Sequence, residues 1–373
     1  MTEEVTRLIT TTTELTELCR HIRDAGRVAV DTEFVWERTF YPELGIVQLA
    51  IDEERGWLLD IPALAGHLDE LGAVLADPAV EKIIHDARQD LTILKKAAGG
   101  YPKNIFDTRL AAGFVGPSAS LSLYDACRRF TGRTLDKGET RSNWLKRPLS
   151  PAQCRYALYD VFFLPEIRSR IMELARKLGR CEWIAEEMKI YDDPALYDEA
   201  PLGEVYGKVK GAARLQRQEL AVLKELAAWR DREARRRNRP RRHIIPDDPL
   251  LNLAMSQPDS IEIIKKSCGL SPRAAQRYGA KLREIIRQGR RIPQNDYPPS
   301  LRKTHNRNLA LRARRLLDFI QEFCSDKELD PALIANRQEI EKLLRAADPP
   351  ACPIPLTRGW RLEFIGREIL QRL

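Results

Sequence analysis

The 373-residue chain has few of the residues that build disulfide frameworks or transition-metal centres. Its seven cysteines are scattered without a Cys-x-x-Cys pair, and it has only five histidines. We therefore expect neither a disulfide scaffold nor a zinc site. No apolar run approaches the roughly 20 residues needed to cross a bilayer, and the N-terminal residues are polar rather than a signal peptide. These absences favour a reduced, cytoplasmic setting and no membrane partner.

Charge is plentiful but unevenly distributed along the sequence. Residues 205–315 contain 28 basic and 10 acidic residues, whereas the rest of the chain contains 34 basic and 44 acidic residues. The formal net charge of +8 conceals this division. A basic stretch of this size favours an anionic partner such as nucleic acid.

The hydrophobic pattern predicts an α/β domain followed by two helical modules. β-Branched runs predict strands at 27–31, 46–51, 57–61 and 83–84, and helical spacing appears at 13–25, at 61–75 and through most of the chain after Asn104. Segments rich in Pro, Gly and Asp at 192–207 and 289–303 predict the boundaries. We place the domains at 1–204, 205–295 and 303–373.

Two acids lie in an unusual position on the first of these strands. Asp31 and Glu33 are two residues apart, so strand alternation puts both carboxylates on one face. They repel one another unless a cation lies between them, and hard divalent cations prefer oxygen ligands. The alternative is an exposed strand end, which we favour for this pair taken alone.

Further acids occur at two strand or helix positions later in the domain. Asp86 and Gln89 fit a capping box at a strand-to-helix junction, so we interpret Asp86 as structural. Capping does not explain Asp90, which lies one turn inside the helix among apolar neighbours. Tyr156 and Asp160 are four residues apart and share a helical face, where an ordinary intrahelical contact is the alternative.

In this order the three segments resemble the DEDD superfamily of 3′→5′ exonucleases, in its tyrosine-bearing branch. The stretches from Asp31 to Leu49 and from Asp136 to Pro165 resemble the ribonuclease D family in particular. The basic modules resemble the helicase-and-RNase-D C-terminal domain, the first more closely than the second. The resemblance implies a ribonuclease H-like mixed-sheet exonuclease domain followed by two small all-α helical modules.

The resemblance also implies roles for particular residues. The metal-binding acids are Asp31, Glu33, Asp90 and Asp160, and Tyr156 orients the attacking water. Two divalent ions, Mg²⁺ or Mn²⁺, bind the phosphodiester; one activates water and the other stabilises the departing 3′ oxygen. The acid that relatives often carry is replaced by Asn143 in this chain.

RNA contacts are expected from residues near these motifs and in the basic modules. Phe34 directly follows Glu33 and is our preferred base contact. For His85 we favour a hydrogen-bonded structural role over a substrate contact. The remaining candidate phosphate contacts are cationic: Lys137, Arg141, Arg236 and Arg237.

The predicted function is a metal-dependent 3′→5′ exoribonuclease that acts as a monomer, releases nucleoside 5′-monophosphates and trims tRNA precursors. A DNA 3′→5′ exonuclease is the alternative enzyme, because chemistry directed at the backbone discriminates poorly between RNA and DNA. A non-catalytic RNA-binding adaptor is the alternative outside enzymes. A helicase is excluded, since Gly203–Lys208 is one residue short of a phosphate-binding GxxxxGK[ST] loop.

Overall fold

The computed structural model describes residues 7–116, 118–135, 138–139, 142–199, 201–302 and 306–373. The chain forms two compact units. Unit 1 comprises the residues up to Phe34, Leu44–Tyr197 and Asn306–Leu373, and unit 2 comprises Val35–Glu43 and Asp198–His305. Among the described helices, none combines the length and the apolar character that a bilayer-spanning segment needs.

A six-stranded mixed sheet forms the centre of unit 1, in the order β1-β4-β3-β2-β5-β6. Its strands are β1 Arg7–Ile9, β2 Arg27–Val35, β3 Glu43–Ala50, β4 Gly56–Asp60, β5 Glu81–Ile84 and β6 Ile105–Asp107. β1 is parallel to β4, β4 is antiparallel to β3, and β5 is parallel to both β2 and β6. The mixed sheet predicted from the family resemblance is confirmed. The two edge strands, of three residues each, were not predicted because so short a segment has no readable alternation.

In the described part of unit 1, eight α-helices precede the basic region. They are α1 Thr12–Ala25, α2 Asp69–Ala76, α3 Arg88–Ala98, α4 Thr108–Ala112, α5 Leu123–Thr131, α6 Pro151–Phe162, α7 Leu164–Lys177 and α8 Cys181–Met188. A capping box at Ser150, with Pro151 in the first helical position, determines where α6 begins. The prediction of a helix from residue 61 is wrong, because Gly66 has a φ of +81° and the helix begins only at Asp69.

The C-terminal residues of the chain also belong to unit 1. Their helices are α14 Arg307–Cys324, α15 Arg337–Arg345, α16 Gly359–Arg361 and α17 Arg367–Gln371, with a π-helical turn at Leu362–Gly366. Trp360 stacks on Trp183 of α8 with ring centroids 5.0 Å apart. Arg361 donates to both carboxylate oxygens of Glu187, at 2.7 and 2.8 Å. The last helical module therefore shares the core of the mixed-sheet domain.

Unit 2 is helical and has its own core. Its helices are α9 Arg217–Arg236, α10 Arg241–Ile244, α11 Asp247–Ser256, α12 Ile261–Ser267 and α13 Pro272–Arg290. Ser271 caps α13 as its Ser-Pro sequence predicts. Asp248-Pro249 has the same pattern of a capping residue before proline and predicts a helix that begins at Pro249. That prediction is wrong, since α11 begins two residues earlier, at Asp247, after Pro246. The Asp247 carboxylate instead accepts from Arg230 at 2.7 Å.

Candidate active site

Strand β2 presents the first two acids in unit 1. Its first half, Val28–Val30, is buried in the sheet core, and Asp31 and Glu33 follow in its partly buried second half. Both belong to one continuous strand, so their side chains point to the same face as the sequence predicts. An exposed strand end does not describe them, because the strand continues to Val35.

The third acid comes from helix α3. Asp90 lies in its first turn and is 9% exposed. The Thr32 hydroxyl of β2 donates a hydrogen bond to Asp90 Oδ1. Thr32 was not among the predicted site residues, although its position between the two acids of β2 was a signal that could have identified it. This bond connects the strand and the helix that supply three of the four acids.

Helix α6 supplies the fourth acid and the tyrosine. Asp160 is 9% exposed, and the Tyr156 side chain forms a hydrogen bond with it. The indole of Trp144 lies beside Tyr156, with ring centroids 6.1 Å apart and an interplanar angle of 35°. The predicted one-face arrangement of Tyr156 and Asp160 is therefore present in the structure.

Electrostatic repulsion shows that the four carboxylates share one site. Burial, followed by repulsion from the other three acids, raises the pKa of Asp31 well above its usual range. Burial and repulsion from Asp160 and Asp90 raise the pKa of Glu33 to about 8. Burial raises the pKa of Asp160 to about 7, and the hydrogen bond from Tyr156 opposes this rise. Burial likewise raises the pKa of Asp90 to about 6, against the hydrogen bond from Thr32.

Such a site fits divalent cations by its chemistry. Its donors are carboxylate oxygens, which Mg²⁺ and Mn²⁺ prefer, and their shared negative charge is unfavourable until a cation neutralises it. Within the described residues, no three acidic, histidine or cysteine side chains already surround a single point as metal ligands do.

The capping role predicted for Asp86 is wrong, and the Asp107 carboxylate instead holds the backbone that leads into α3. Helix α3 has no side-chain cap, and Asp86 has a φ of +64°. The Asp107 carboxylate accepts hydrogen bonds from the backbone N–H groups of Asp86 at 3.1 Å and Ala87 at 3.0 Å. It also accepts from the Tyr191 hydroxyl at 2.6 Å. Asp86 instead forms an ion pair with Arg109.

The other predicted substrate residues are dispersed. Phe34 is partly buried and packs against the core of unit 1. His85 is hydrogen-bonded at both ring nitrogens, to Thr108 Oγ1 at 2.9 Å and to the Leu121 carbonyl at 3.0 Å, as its preferred interpretation requires. Burial lowers its pKa.

The four predicted cationic contacts divide into two pairs. Lys137 and Arg141 lie outside the described residues. Arg236 and Arg237 belong to unit 2, and both form ion pairs with Glu233. Arg236 is largely exposed despite this pair, whereas Arg237 is mostly covered and lies over the Tyr278 ring.

Comparison with known proteins shows similarity to known nucleases along nearly the whole chain. Residues 6–175 match the family model of a 3′-5′ exonuclease, and residues 219–286 match the HRDC domain. Ribonuclease D of Desulfotalea psychrophila is 37% identical over 362 residues, which cover 96% of each chain. Ribonuclease D of Gluconacetobacter diazotrophicus is 33% identical over 97% of this chain and 91% of its own.

A solved structure extends the similarity to the whole fold. The crystal structure of Escherichia coli RNase D, an exoribonuclease involved in structured RNA processing, has a TM-score of 0.86 and 28% identity, and the match covers 98% of both chains. The mixed sheet, its acids and the two domain matches define a 3′→5′ exonuclease with an HRDC domain. The chain belongs to the ribonuclease D family. It is a 3′→5′ exoribonuclease, and the enzymes of this family act on RNA and depend on divalent metal ions.

Proposed function

We propose that this exoribonuclease hydrolyses RNA with two divalent ions, Mg²⁺ or Mn²⁺, held by Asp31, Glu33, Asp90 and Asp160. The observation that supports this most is the raised pKa of all four carboxylates, which repel one another in a partly desolvated site. Two bound ions would activate the water and stabilise the departing 3′ oxygen, so that nucleoside 5′-monophosphates are released.

Tyr156 is proposed to orient the attacking water. Its side chain is already fixed by its hydrogen bond to Asp160 and by the neighbouring Trp144 ring. A neutral phenol can hydrogen-bond water without adding charge to an acidic site. Tyr156 therefore suits a positioning role better than a general-base role.

The preferred substrates are proposed to be the 3′ ends of tRNA precursors and other structured RNAs. The basic composition of residues 205–315 and the exposed Arg236 support affinity for phosphates. The domain boundaries at 1–204, 205–295 and 303–373 remain a prediction, as do the monomeric state and the RNA contacts of Phe34, Lys137, Arg141, Arg236 and Arg237. The cytoplasmic location also remains a prediction, in keeping with seven free cysteines.

A single assay tests the proposal. A 5′-labelled unpaired RNA, the matching DNA and a tRNA with a 3′ extension are each incubated with Mg²⁺, with Mn²⁺ or with chelator. We expect stepwise shortening of both RNAs from the 3′ end, release of 5′-monophosphates, and no shortening with chelator or in Asp31→Asn. Glu17→Gln is the matched control, because Glu17 is an exposed acid on α1 of the same unit.

Each arm addresses one alternative. Faster shortening of the DNA than of the RNA would favour the DNA exonuclease. RNA that binds but stays intact with either metal would favour the adaptor. Equal rates on the extended tRNA and on unpaired RNA would remove tRNA precursors as the preferred substrate.

A further inference from the structure

Residues 36–42, which directly follow strand β2, are hydrogen-bonded to the chain just after helix α9 in unit 2. Asn238 has a φ of +46°, and its side-chain oxygen accepts from the backbone N–H groups of Phe40 and Tyr41, both at 3.1 Å. Left-handed backbone at Asn is tolerated because its short amide can bond locally. The segment is therefore held by directional hydrogen bonds rather than by apolar packing alone.

Two arginines anchored on one buried acid cover the Phe40 ring. Asp231 is fully buried, and its two carboxylate oxygens pair separately with Arg235 and Arg241. The guanidinium of Arg241 lies 4.7 Å from the centroid of Phe40, and that of Arg235 lies 5.7 Å away. Cation–π contacts of this kind favour a planar stack over the ring. Because these two guanidinium groups cover the Phe40 ring, Phe40 does not bind a base.

Trp36, in contrast, is fixed at its edge and exposed. Its Nε1–H donates to the Phe40 carbonyl at 3.1 Å, which sets the orientation of the indole. The residue is nevertheless 54% exposed, the largest exposure among the large hydrophobic residues of the described chain. The only polar atom of this indole is already hydrogen-bonded, so its exposed ring faces form no further hydrogen bonds with water. It is a preorganised surface on which a flat ring can stack.

A cavity of about 480 Å³ in unit 2 lies against this indole. Its lining includes Trp36, Phe40, Lys208, Arg241, Arg242 and Asp247. Lys208 and Arg242 are exposed and form no ion pair with any described residue, whereas Arg241 is held by Asp231. The cavity therefore combines an apolar stacking face with the two unpaired cations Lys208 and Arg242, and its lining also contains the exposed acid Glu37.

Arg230 makes the wall of this cavity rigid. It is 4% exposed and donates through Nη1 to Asp247 at 2.7 Å and to the Ile245 carbonyl at 3.0 Å. Its Nε and the nearby Thr39 hydroxyl are buried without a hydrogen-bond partner.

We propose that this cavity is a nucleotide-binding site for an unstacked nucleotide of single-stranded RNA. Trp36 stacks on the base, and Lys208 and Arg242 bind its phosphate. The exposed Trp36 ring beside the cations Lys208 and Arg242 meets the general requirements for binding single-stranded RNA. Stacking on an aromatic ring is tolerant of sequence, and contacts to phosphates supply affinity. This inference rests on the proposed RNA-processing function, since it gives that enzyme a second place to hold its substrate. A free nucleoside monophosphate offers the same chemistry and is the alternative source.

Binding to the full-length protein tests the proposal without catalysis. A labelled 12-nucleotide single-stranded RNA is titrated in the presence of chelator, so that the RNA stays intact. We expect Trp36→Ala to weaken binding about fivefold or more, as the loss of one stacked base does. Trp36→Phe should retain most of the affinity while losing part of the RNA-dependent quenching of tryptophan fluorescence.

The cations have their own variant and control. Arg242→Gln should weaken RNA binding and lower the salt dependence of log Kd by about one phosphate contact. Arg176→Gln is the matched control, since Arg176 is an exposed arginine on α7 without an ion pair to the described residues. Wild-type affinity in Trp36→Ala and in Arg242→Gln would overturn the proposal. Adenosine 5′-monophosphate that binds as tightly as the RNA would reassign the site to the free nucleotide.

Activity separates this inference from the function on which it rests. If the wild-type enzyme shortens RNA in Mg²⁺ while Trp36→Ala has an unchanged KM and Kd, the nucleotide site is wrong and the nuclease stands. If the wild-type enzyme shortens no RNA with either metal, the proposed function is wrong. We expect a raised KM for Trp36→Ala on RNA of 12 nucleotides with an unchanged KM on a dinucleotide.

Discussion

At the scale of single residues, the site is a set of acids that is unfavourable without its cation. Each carboxylate is desolvated, and Asp31 and Glu33 are further opposed by their neighbours. Hydrogen bonds from Thr32 and Tyr156 offset part of this cost at Asp90 and Asp160. The clustered acids lower the stability of the folded protein, and the same repulsion increases the affinity of the site for a cation.

Removing the Tyr156 hydroxyl should slow hydrolysis without weakening RNA binding. We expect Tyr156→Phe to reduce kcat about 100-fold, the lower range for a group that positions or moves a proton, with Kd for RNA in chelator unchanged. Tyr159→Phe on the same helix is the control. An unchanged kcat would remove Tyr156 from the mechanism.

The hydroxyl of Thr32 should affect metal binding through its hydrogen bond to Asp90 rather than through a contact with RNA. Thr32→Val removes the hydrogen bond to Asp90, and losing a contact that orients a metal ligand typically weakens metal affinity about 10-fold or more. Thr32→Ser keeps the hydroxyl and should therefore keep the metal affinity of the wild type. The measurement is the Mg²⁺ concentration that gives half of the maximal rise in Tm, a readout independent of turnover; equal values for Val and Ser variants would contradict this role.

The metal-free protein should lose stability as the pH rises. The pKa of Glu33 is raised to about 8 in the folded state, above the roughly 4.3 of an unfolded glutamate. Folding therefore favours the protonated form, and the stabilisation present below the unfolded pKa is lost progressively up to about pH 8. With chelator, we expect Tm to fall between about pH 5 and pH 8, and Glu33→Gln to reduce that fall. A Tm independent of pH in this range would show that the acids are not strained, and added Mg²⁺ should restore the wild-type Tm at pH 8.

At the scale of secondary-structure elements, the acids depend on how α3 and α6 meet the sheet. Asp107 at the end of β6 receives the backbone N–H groups that lead into α3. Helix α6 packs directly on β4, where a Cβ at Gly56 would come within 2.4 Å of the Phe162 ring. A glycine allows the helix carrying Asp160 to approach the strand this closely.

Adding a methyl group at Gly56 should displace α6. We expect Gly56→Ala to destabilise unit 1 by about 1–3 kcal/mol, the usual cost of overpacking, and to lower nuclease activity at temperatures where the fold is intact. Denaturant unfolding and initial rates measure the two effects. Gly207→Ala is the control because a Cβ there meets nothing within 4 Å, and identical behaviour of the two variants would exclude close packing as the reason for Gly56.

At the scale of the whole molecule, the division of charge along the sequence assigns different tasks to its parts. We propose that the acids of unit 1 bind the metal ions and that the basic residues of 205–315 attract the anionic substrate. The basic stretch does not coincide with one folded unit, since Arg307–Arg315 begin helix α14 of unit 1. Charge composition therefore predicted the partner better than it predicted the packing.

RNA binding and turnover should fall steeply with added salt. Raising monovalent salt from about 50 to about 200 mM should weaken RNA binding about tenfold or more, as expected for several phosphate contacts. The measurement is Kd by anisotropy in chelator, accompanied by kcat/KM in Mg²⁺. Salt-insensitive turnover on tRNA-like RNA would remove the basic residues from substrate binding.

The sequence by itself determined the fold class and the family through motifs that resemble ribonuclease D, and that resemblance also implied which acids bind metal. The same-face placement of Asp31 and Glu33 on β2, and of Tyr156 and Asp160 on α6, followed from the sequence because alternation and four-residue spacing are local properties of the chain. Only the tertiary structure decided which residues support those acids. The partners of the acid-bearing elements are distant in sequence, as Asp107 is from Ala87 and as Phe162 is from Gly56. Only the tertiary structure showed that the last helices share the core of the mixed-sheet domain, through contacts such as the stacking of Trp360 on Trp183. Pairings over such separations depend on how packed surfaces meet, which periodicity along the chain does not encode.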